Sequence, residues 1–348
     1  MPRLGRGQTE KAGRIMMVTQ RVGFLARTGG LVVVAALVVS ALAGAQSSPD
    51  GPYAAPRTPW GHPDLQGTYS NDAETGTPME RPAVFEGRTI DDISRAELAR
   101  IVEQRNEQFV ERTADAGDEF AGGLRPPTHL IFDTFDRENS RPWLVVDPPD
   151  GRIPPLVAAA RTRDRPGGGV STNANPRGPF DSWLDMGLYD RCITRGMPSS
   201  MMPAGYGSYY DITQSPSSVA IRYEMVHETR VIPLDGAPHV SGAIRQYMGD
   251  ARGHWEGDTL VVETTNFRAE TAPQRASDTV RMTERFRRVS PDRVEWSVTF
   301  EDPATWERPW TFLMPLTRVT GAEVHEYACH EGNYGMHNIL SGARAGEQ

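Results

Sequence analysis

The stretch that decides the fold is YYDITQSPSSVAIRYEMVHETRVIPLDGAPHVSGAIRQYMGDARGHWEGDTLVVETTNF, residues 209–267, which has the clearest strand periodicity in the chain. Short runs rich in β-branched and aromatic residues alternate there with turn sequences such as Gln214-Ser215-Pro216 and Asp235-Gly236. This pattern is typical of antiparallel strands. The stretch also holds three of the eight histidines and many charged residues, so we expect the functional site there as well.

The β pattern extends to both sides of this stretch. The predicted strands are Asp64–Ser70, Tyr209–Thr213, Ser218–Glu224, His227–Pro233, Thr259–Asn266, Val280–Val289, Val294–Glu301, Trp310–Arg318 and Val324–His330. Eight of them follow one another from Tyr209 onward, with short turns between most of them. The sequence therefore predicts a mainly β fold, either an antiparallel barrel or a sandwich.

One predicted strand shows which of its faces is buried. In Val280–Val289, the apolar residues Met282 and Phe286 alternate with arginines, so the even-numbered side chains point inward. Glu284 shares that inward face. A buried carboxyl group needs a partner, or its pKa rises. Glu284 is therefore a candidate catalytic residue.

Residues 1–45 are typical of an export signal. Arg14, Arg21 and Arg27 supply positive charge before the apolar run Leu31–Leu42, and Ala43-Gly44-Ala45 is a small-residue cleavage site. The run of 12 residues is short for a membrane span, and an uncleaved anchor is the alternative. We expect a periplasmic or secreted protein. Residues 46–63 would form an extended arm, and residues 64–348 a single β-barrel domain with a helical and loop insertion around 90–208.

The composition excludes several functions. Of the 37 basic and 45 acidic residues, six basic and one acidic lie in 1–45, which leaves 31 basic and 44 acidic residues and a net charge of −13. This charge argues against nucleic acid as a partner. The single lysine, Lys11, lies in the signal, so lysine Schiff bases and P-loop lysines are excluded. No nucleotide, haem or iron–sulfur motif occurs, and we expect no cofactor.

One helix and one long irregular region precede the β-rich part. Residues 94–113 have the apolar spacing of a helix that covers a sheet, and Ser94 with Glu97 has the spacing of a capping box. Residues 114–208 are rich in Gly and Pro, with brief strand-like runs at His129–Phe132 and Trp143–Val146. Such a stretch inside a domain is more often a lid or a wall than a linker.

The chain contains two cysteines, Cys192 and Cys329. In an exported protein an even number of cysteines predicts a disulfide. Two buried free thiols are the alternative. In the chain-entropy model, closing a loop of this length contributes roughly 4–5 kcal/mol.

The densest cluster of ionisable residues comprises Glu224, His227, Arg230, Asp235 and His239. A histidine that titrates near neutrality beside a carboxylate can act as a general acid and base. On a regular strand Glu224 and His227 face opposite sides, so catalysis by this pair requires a bulge or turn between them. The structural alternative is that Glu224 pairs with Arg230 and that His227 caps a strand end.

Candidate ligand-binding residues lie outside this cluster. Met201, Tyr206 and Tyr209 belong to a loop that either lines a pocket for an apolar ligand or packs in the core. Trp255 either packs beside a hairpin turn or stacks on a ligand.

The last predicted strand supplies a further pair of candidates. Glu326 and His330 would share one face of Val324–His330. His325 and His330 are five residues apart, whereas the helical zinc motif requires four, so we expect no metal site.

Several motifs resemble those of a family of exported bacterial proteins with no characterised activity. They are PWGHPDLQG at 59–67, RCI at 191–193, WEGDTLVV at 255–262, TER at 283–285, RPW at 308–310 and EYACHEGNY at 326–334. The resemblance covers most of the chain after residue 45 and implies, by analogy, a calycin-like or lipocalin-like barrel with one or two covering helices. It implies no particular reaction. Relatives often carry His-Ser where this chain has Ala276-Ser277, so no histidine role can be transferred there.

Three hypotheses about function follow. The first is an enzyme that performs redox-neutral acid–base chemistry, of isomerase, lyase or hydrolase type, on a small, mostly apolar molecule. The second is a periplasmic lipocalin-like carrier without catalysis. The third is a structural envelope protein with a protein partner, in which Trp306, Trp310 and the long loops form the contact surface.

Overall fold

Ten strands form one antiparallel sheet in the computed structural model, which describes residues 53–115, 140–163, 180–203 and 207–346. The strands are β1 (Gly67–Ser70), β2 (Val145–Asp147), β3 (Tyr209–Gln214), β4 (Ser218–Tyr223), β5 (Thr229–Pro233), β6 (Asp250–Glu256), β7 (Thr259–Thr265), β8 (Arg281–Arg288), β9 (Arg293–Glu301) and β10 (Trp310–Arg318). Their order in the sheet is β5-β4-β3-β1-β10-β9-β8-β7-β6, and β2 pairs with β10. The prediction of a mainly β, antiparallel fold is confirmed.

The sheet bends until its two outer strands, β5 and β6, lie side by side. No backbone pairing joins these two strands among the described residues, so the sheet is not closed. Gly253 of β6 is at this contact, where a Cβ would come within 2.8 Å of the side chains of both Ile232 and Leu234. The architecture is an open barrel or a sandwich. We call the gap between β5 and β6 the seam.

The core lies on the inner face of the sheet and is largely aromatic. On β9 every second residue is buried, because successive side chains point to opposite faces. Trp296 of β9 stacks on Phe286 and meets Phe312 edge-on, with ring centroids 6.2 and 5.4 Å apart. Each such side chain contributes about 1.5–3 kcal/mol by leaving water.

The two ends of the sheet differ in their connections. Short turns at 215–217, 257–258 and 289–292 join strands at one end. The connections 71–208, 224–228, 266–280 and 302–309 leave the strands at the opposite end, which we call the loop end. Irregular segments of this kind carry function in many proteins.

The predicted helix at 94–113 is present as α1 (Arg95–Asp115). Ser94 caps it, because its hydroxyl accepts the backbone N–H of Glu97 at 3.2 Å. The Glu97 carboxylate pairs with Arg88. The structure adds a short helix α2 (Ala158–Arg161) and a C-terminal helix α3 (Tyr334–Gly346), neither of which the sequence analysis predicted.

The prediction of a strand at Val324–His330 is wrong, since that segment is irregular. The preceding strand, β10, already pairs with β1 and β9, so no edge beside β10 is open to the segment that follows it. Strand β6 was not predicted, because its inward residues include the small Ala251 and Gly253. Strand β5 begins at Thr229, two residues later than predicted, because Met225–His227 form a turn.

A disulfide joins Cys192 to Cys329, as predicted. A structural disulfide indicates an oxidising environment outside the cytoplasm. Among the described residues no helix is long and apolar enough to cross a membrane. The predicted export signal and the run His129–Phe132 lie outside the described residues.

Candidate functional site

A buried ion pair crosses the interior of the sheet. Arg230 of β5 donates from Nη2 to Glu284 Oε2 of β8 at 2.5 Å and to Thr264 Oγ1 at 2.6 Å. Trp296 Nε1 donates to the other carboxylate oxygen of Glu284 at 3.1 Å. The inward position predicted for Glu284 is therefore correct. The partner of Arg230 is Glu284, so the alternative pairing of Arg230 with Glu224 is wrong.

Arg230 retains unused hydrogen-bonding capacity. Burial opposes its charge, but the adjacent carboxylate of Glu284 raises the pKa of the guanidinium. Its Nε and Nη1 are buried and have no hydrogen-bond partner among the described residues. The Tyr223 hydroxyl oxygen accepts a hydrogen bond from the guanidinium, which raises the pKa of Arg230 further, and the hydroxyl donates to Met197 Sδ at 3.6 Å. Buried donors without acceptors are rare in proteins, and they commonly mark water or ligand positions.

A pair of carboxyl groups, Asp72 and Glu224, lies at the loop end. Asp72 follows β1 and Glu224 follows β4, and the start of β3 separates them. Burial raises the pKa of both groups, and the negative charge of Asp72 raises that of Glu224 further. The side chain of Tyr209 is near both, and their charges add to the effect of burial in raising its pKa.

The surroundings of the two carboxyl groups differ. Asp72 accepts hydrogen bonds from the hydroxyls of Ser208 and Ser70, which partly offset the effect of burial on its pKa. Glu224 Oε2 is buried and has no hydrogen-bond partner among the described residues. Both carboxyl groups are thus desolvated, and the backbone N–H of Tyr209 partly offsets the rise in the pKa of Glu224 as the two hydroxyls do for Asp72. Carboxyl pairs with perturbed pKa values are found in acid–base sites.

Glu74, two residues beyond Asp72, is completely buried. Burial raises its pKa to about 7, although Thr77 and Arg141 donate hydrogen bonds to it and oppose the shift. Its Oε1 has no hydrogen-bond partner among the described residues. Arg105 of α1 lies nearby and binds Thr77 and two backbone carbonyls. Glu74 therefore titrates near neutral pH where Arg105 of α1 meets Thr77 and the segment 140–142.

His239 lies between two carboxylates on the outer surface. Its Nδ1 is 2.9 Å from Asp250 Oδ2, and its Nε2 is 3.0 Å from Glu263 Oε1. Burial acts against the ionised form of Asp250, but the backbone N–H of Val240 and the His239 ring hold its pKa below the ordinary value. Both ring nitrogens are used in this bridge, so His239 serves to attach the 234–249 connection to β6 and β7.

The structure separates the other members of the predicted cluster. His227 is exposed, and its Nδ1 contacts the carbonyl oxygen of Tyr327 at 2.9 Å. The turn that the sequence analysis required between Glu224 and His227 is present, with φ of 62° at Val226 and 42° at His227. None of the described hydrogen bonds or ion pairs joins these two side chains. Asp235 is exposed and lies 3.9 Å from Arg252.

The predicted ligand-binding residues also occupy different environments. Met201 is fully buried in the core, whereas Tyr209 is half-buried at the loop end beside Asp72 and Glu224. Trp255 lies at the opposite end, where its ring packs against His62 with centroids 5.3 Å apart. Tyr206 lies outside the described residues.

The inward pair predicted for Glu326 and His330 is wrong. Both residues are exposed, because the segment that carries them forms no strand. Within the described ranges, no group of three or more His, Cys, Asp or Glu residues could hold a metal ion. Trp306 and Trp310 do not belong to the predicted partner surface, since their side chains are only 3% and 0% exposed and pack in the core. The part of that surface predicted on the long loops stays a prediction.

Asp72 and Glu74 were not among the candidates predicted from the sequence. Both lie just after a short strand in a polar turn, so no periodicity marked them as buried. The fold defines an antiparallel β protein with ionisable groups buried inside the sheet and at one end. No family model, curated protein or solved structure is significantly similar to this chain.

Proposed function

We propose that this protein performs redox-neutral acid–base chemistry, of isomerase, lyase or hydrolase type, on a small, mostly apolar molecule. The observation that supports the proposal is the carboxyl pair Asp72–Glu224, in which burial raises both pKa values. The proposal includes a calycin-like assignment for the open sheet and export to the periplasm or the medium. The family resemblance favours both, and the disulfide supports export.

The two carboxyl groups suit different roles in this chemistry. The hydroxyls that donate to Asp72 favour its ionised form, so Asp72 is the general base. Glu224, with an unpartnered buried oxygen, favours the protonated form and is the general acid. The base removes a proton from one position of the substrate while the acid delivers a proton to another. Such a transfer requires no cofactor.

Tyr209 completes the arrangement as a contact for the substrate. It is half-buried, and its side chain is near both carboxyl groups. An aromatic ring with a polar tip can cover an apolar substrate and hydrogen-bond to it at the same time. His227 and His239 have no role in the proposed chemistry. His227 is exposed, and both ring nitrogens of His239 contact carboxylates.

A proton-transfer assay tests the proposal. The protein is incubated in D2O with a panel of small apolar ketones, enones and esters, and mass spectrometry detects deuterium uptake, isomerisation and hydrolysis. We expect at least one reaction, with a bell-shaped pH–rate profile. Glu224→Gln and Asp72→Asn should each slow it by about 10²–10⁴-fold.

The matched control is Glu326→Gln, which changes an exposed acid of the same type and should keep the wild-type rate. If the wild-type protein changes no compound faster than buffer does, the proposal is overturned. It is equally overturned if the Glu224→Gln and Asp72→Asn variants react at the wild-type rate.

The seam favours a second candidate, a lipocalin-like carrier. A cavity lies there next to Arg230, and in a carrier the Arg230–Glu284 pair would act as an interior polar network without catalysis. A carrier would copurify with a ligand and gain thermal stability from it. Binding without any chemical change in the D2O assay would select this candidate.

A further inference from the structure

The outer edge of β5 carries backbone groups that no other strand uses. Glu228 and Leu234, which flank β5, are hydrogen-bonded on the β4 side through their backbones, at 2.9 and 2.8 Å. Bonded and non-bonded residues alternate along an antiparallel pair. The N–H and C=O groups of Thr229 and Val231 therefore point away from β4 and into the seam. Among the described residues no strand pairs with β5 on that side.

The usable part of this edge is the half of β5 nearest the loop end. At the other end Pro233 has no N–H to donate. Gly253 of β6 lies so close there that an added Cβ would be 2.8 Å from the side chain of Ile232. Beside residues 229–231, by contrast, a cavity of ≈ 350 Å³ separates β5 from the segment 246–251. The seam is thus tight at one end and open as a slot at the other.

Val231 shows what the slot lacks on its outer side. The Val231 side chain is 59% exposed, whereas its strand neighbours Arg230 and Ile232 point inward and are buried. Residues that lie opposite each other on adjacent strands place their side chains on the same face of the sheet. A strand added along this edge would therefore place one side chain beside Val231, and an apolar side chain there would cover it.

The charges around the slot favour a basic partner. Glu228 and Asp250 are the two acids of the lining. Asp250 already contacts His239 and Arg252. Glu228 accepts a hydrogen bond from the Thr194 hydroxyl at 2.7 Å, and in the described part of the chain no cation pairs with it. A lysine or arginine opposite Glu228 on an added strand would balance this charge.

We propose that the loop-end half of β5 binds an extended, basic peptide segment of another polypeptide as an added antiparallel strand. Thr229 and Val231 would each exchange two backbone hydrogen bonds with it, which is the mode of recognition called β-augmentation. The segment 246–251 lies beside this edge, so the slot suits a single extended chain rather than the edge strand of a second folded copy. The proposal concerns binding at a sheet edge and is independent of whether Asp72 and Glu224 are catalytic.

An NMR titration with the peptide acetyl-Val-Ala-Thr-Lys-amide tests the proposal. In the antiparallel arrangement the peptide Val lies opposite Val231 and the peptide Lys lies opposite Glu228. The backbone amide resonances of Thr229 and Val231 should shift in a saturable way. Their hydrogen exchange should also slow, because both N–H groups gain an acceptor.

Modified peptides separate backbone pairing from other contacts. The N–H of the peptide Thr would donate to the carbonyl oxygen of Thr229, so N-methylation at this Thr should weaken binding at least about fivefold. The N–H of the peptide Lys points away from β5, and N-methylation there is the matched control, which should leave the affinity unchanged. Replacing the peptide Lys by Glu should weaken binding at least about threefold, because two acids then face each other.

Variants of the protein provide the second arm of the test. Val231→Pro removes one N–H from the free edge and leaves the hydrogen bonds to β4 in place, and edge strands accept proline at such positions. This variant should bind the first peptide at least about fivefold more weakly. Val231→Ala is the matched control, since it keeps the N–H, and the amide resonance of residue 231 should still shift on titration.

Four results would each overturn the proposal. They are no saturable shift at Thr229 and Val231, equal affinities of the two N-methylated peptides, equal affinities of the Lys and Glu peptides, and shifts that depend on protein concentration alone. The last result would mean that the edge pairs with a second copy of the chain. The peptide comparisons use the wild-type protein, so they do not depend on whether a variant folds.

Discussion

Arg230 and Glu284, on strands β5 and β8, form an ion pair inside the sheet, with Nη2 and Oε2 2.5 Å apart and side chains 3% and 0% exposed. The pair connects strands from opposite halves of the sheet order. Removing two charges from water is costly, and their mutual attraction repays this only while both are present. The pair is therefore a sensitive point of the fold.

Replacing one partner of this ion pair should destabilise the fold much more than replacing both partners. Arg230→Met and Glu284→Leu should each lower the free energy of unfolding by about 3–5 kcal/mol, because each leaves one buried charge alone. The double variant should lose less than either single variant, because no buried charge is left alone. Urea denaturation of the three variants measures this coupling.

An exposed ion pair on the same strand is the control. Arg285 pairs with Glu256, and their side chains are 44% and 49% exposed. Arg285→Met should change the stability by no more than about 1 kcal/mol. Additive losses in the Arg230 and Glu284 variants would contradict the coupling.

The buried carboxyl group of Glu74 should make stability depend on pH. Its folded-state pKa of about 7 lies above the ordinary value of 4.5, so the folded protein holds a proton that the unfolded chain releases. The free energy of unfolding therefore falls as the pH rises from about 4.5 and levels off above about 7. The total change from this group is roughly 3 kcal/mol.

Glu74→Gln should remove this dependence, because the amide imitates the neutral acid at every pH. The variant should be more stable than the wild type at pH 8 and similar to it at pH 4. Denaturation midpoints measured from pH 4 to 8 give the slope. Glu326→Gln controls for the loss of one exposed negative charge, and an unchanged slope in Glu74→Gln would show that another group is responsible.

The disulfide should contribute strongly to stability. Cys192 and Cys329 are 137 residues apart, and closing a loop of this length is worth roughly 5 kcal/mol in the chain-entropy model. Reduction should lower the melting temperature and detach the 324–330 segment. The Cys192→Ser/Cys329→Ser variant should melt at the same temperature with and without reductant. A wild-type melting temperature that does not respond to reductant would contradict this.

Gly253 should control the width of the seam. A Cβ there would lie 2.8 Å from side-chain carbons of Ile232 and Leu234, so Gly253→Ala should push β5 and β6 apart and cost about 1–3 kcal/mol. Gly242→Ala is the matched control, because its nearest neighbour would be 4.0 Å away. Thermal denaturation compares the two. Equal melting temperatures for Gly253→Ala and Gly242→Ala would contradict this, because β5 and β6 would then accommodate the added methyl group without cost.

Much of the fold was predictable because strand periodicity is a local property. The alternation of Met282 and Phe286 with arginines correctly placed Glu284 inside, and the turn predicted at Gln214-Ser215-Pro216 does join two strands. Strand β6 was not predicted from the sequence, because its inward positions carry Gly253 and Ala251 rather than large apolar residues. The segment Val324–His330 has a strand-like pattern, but strand formation also requires a free edge, and a local pattern does not contain that information.

The sequence by itself determined the mainly β class, the inward face of β8, the start of α1 and the pair of cysteines. Each of these follows from spacing along the chain. Only the tertiary structure decided that Arg230 meets Glu284, that Asp72 lies near Glu224, and that the seam stays open beside Gly253. These contacts depend on strand order and on how far the sheet bends, and residues far apart in sequence establish both.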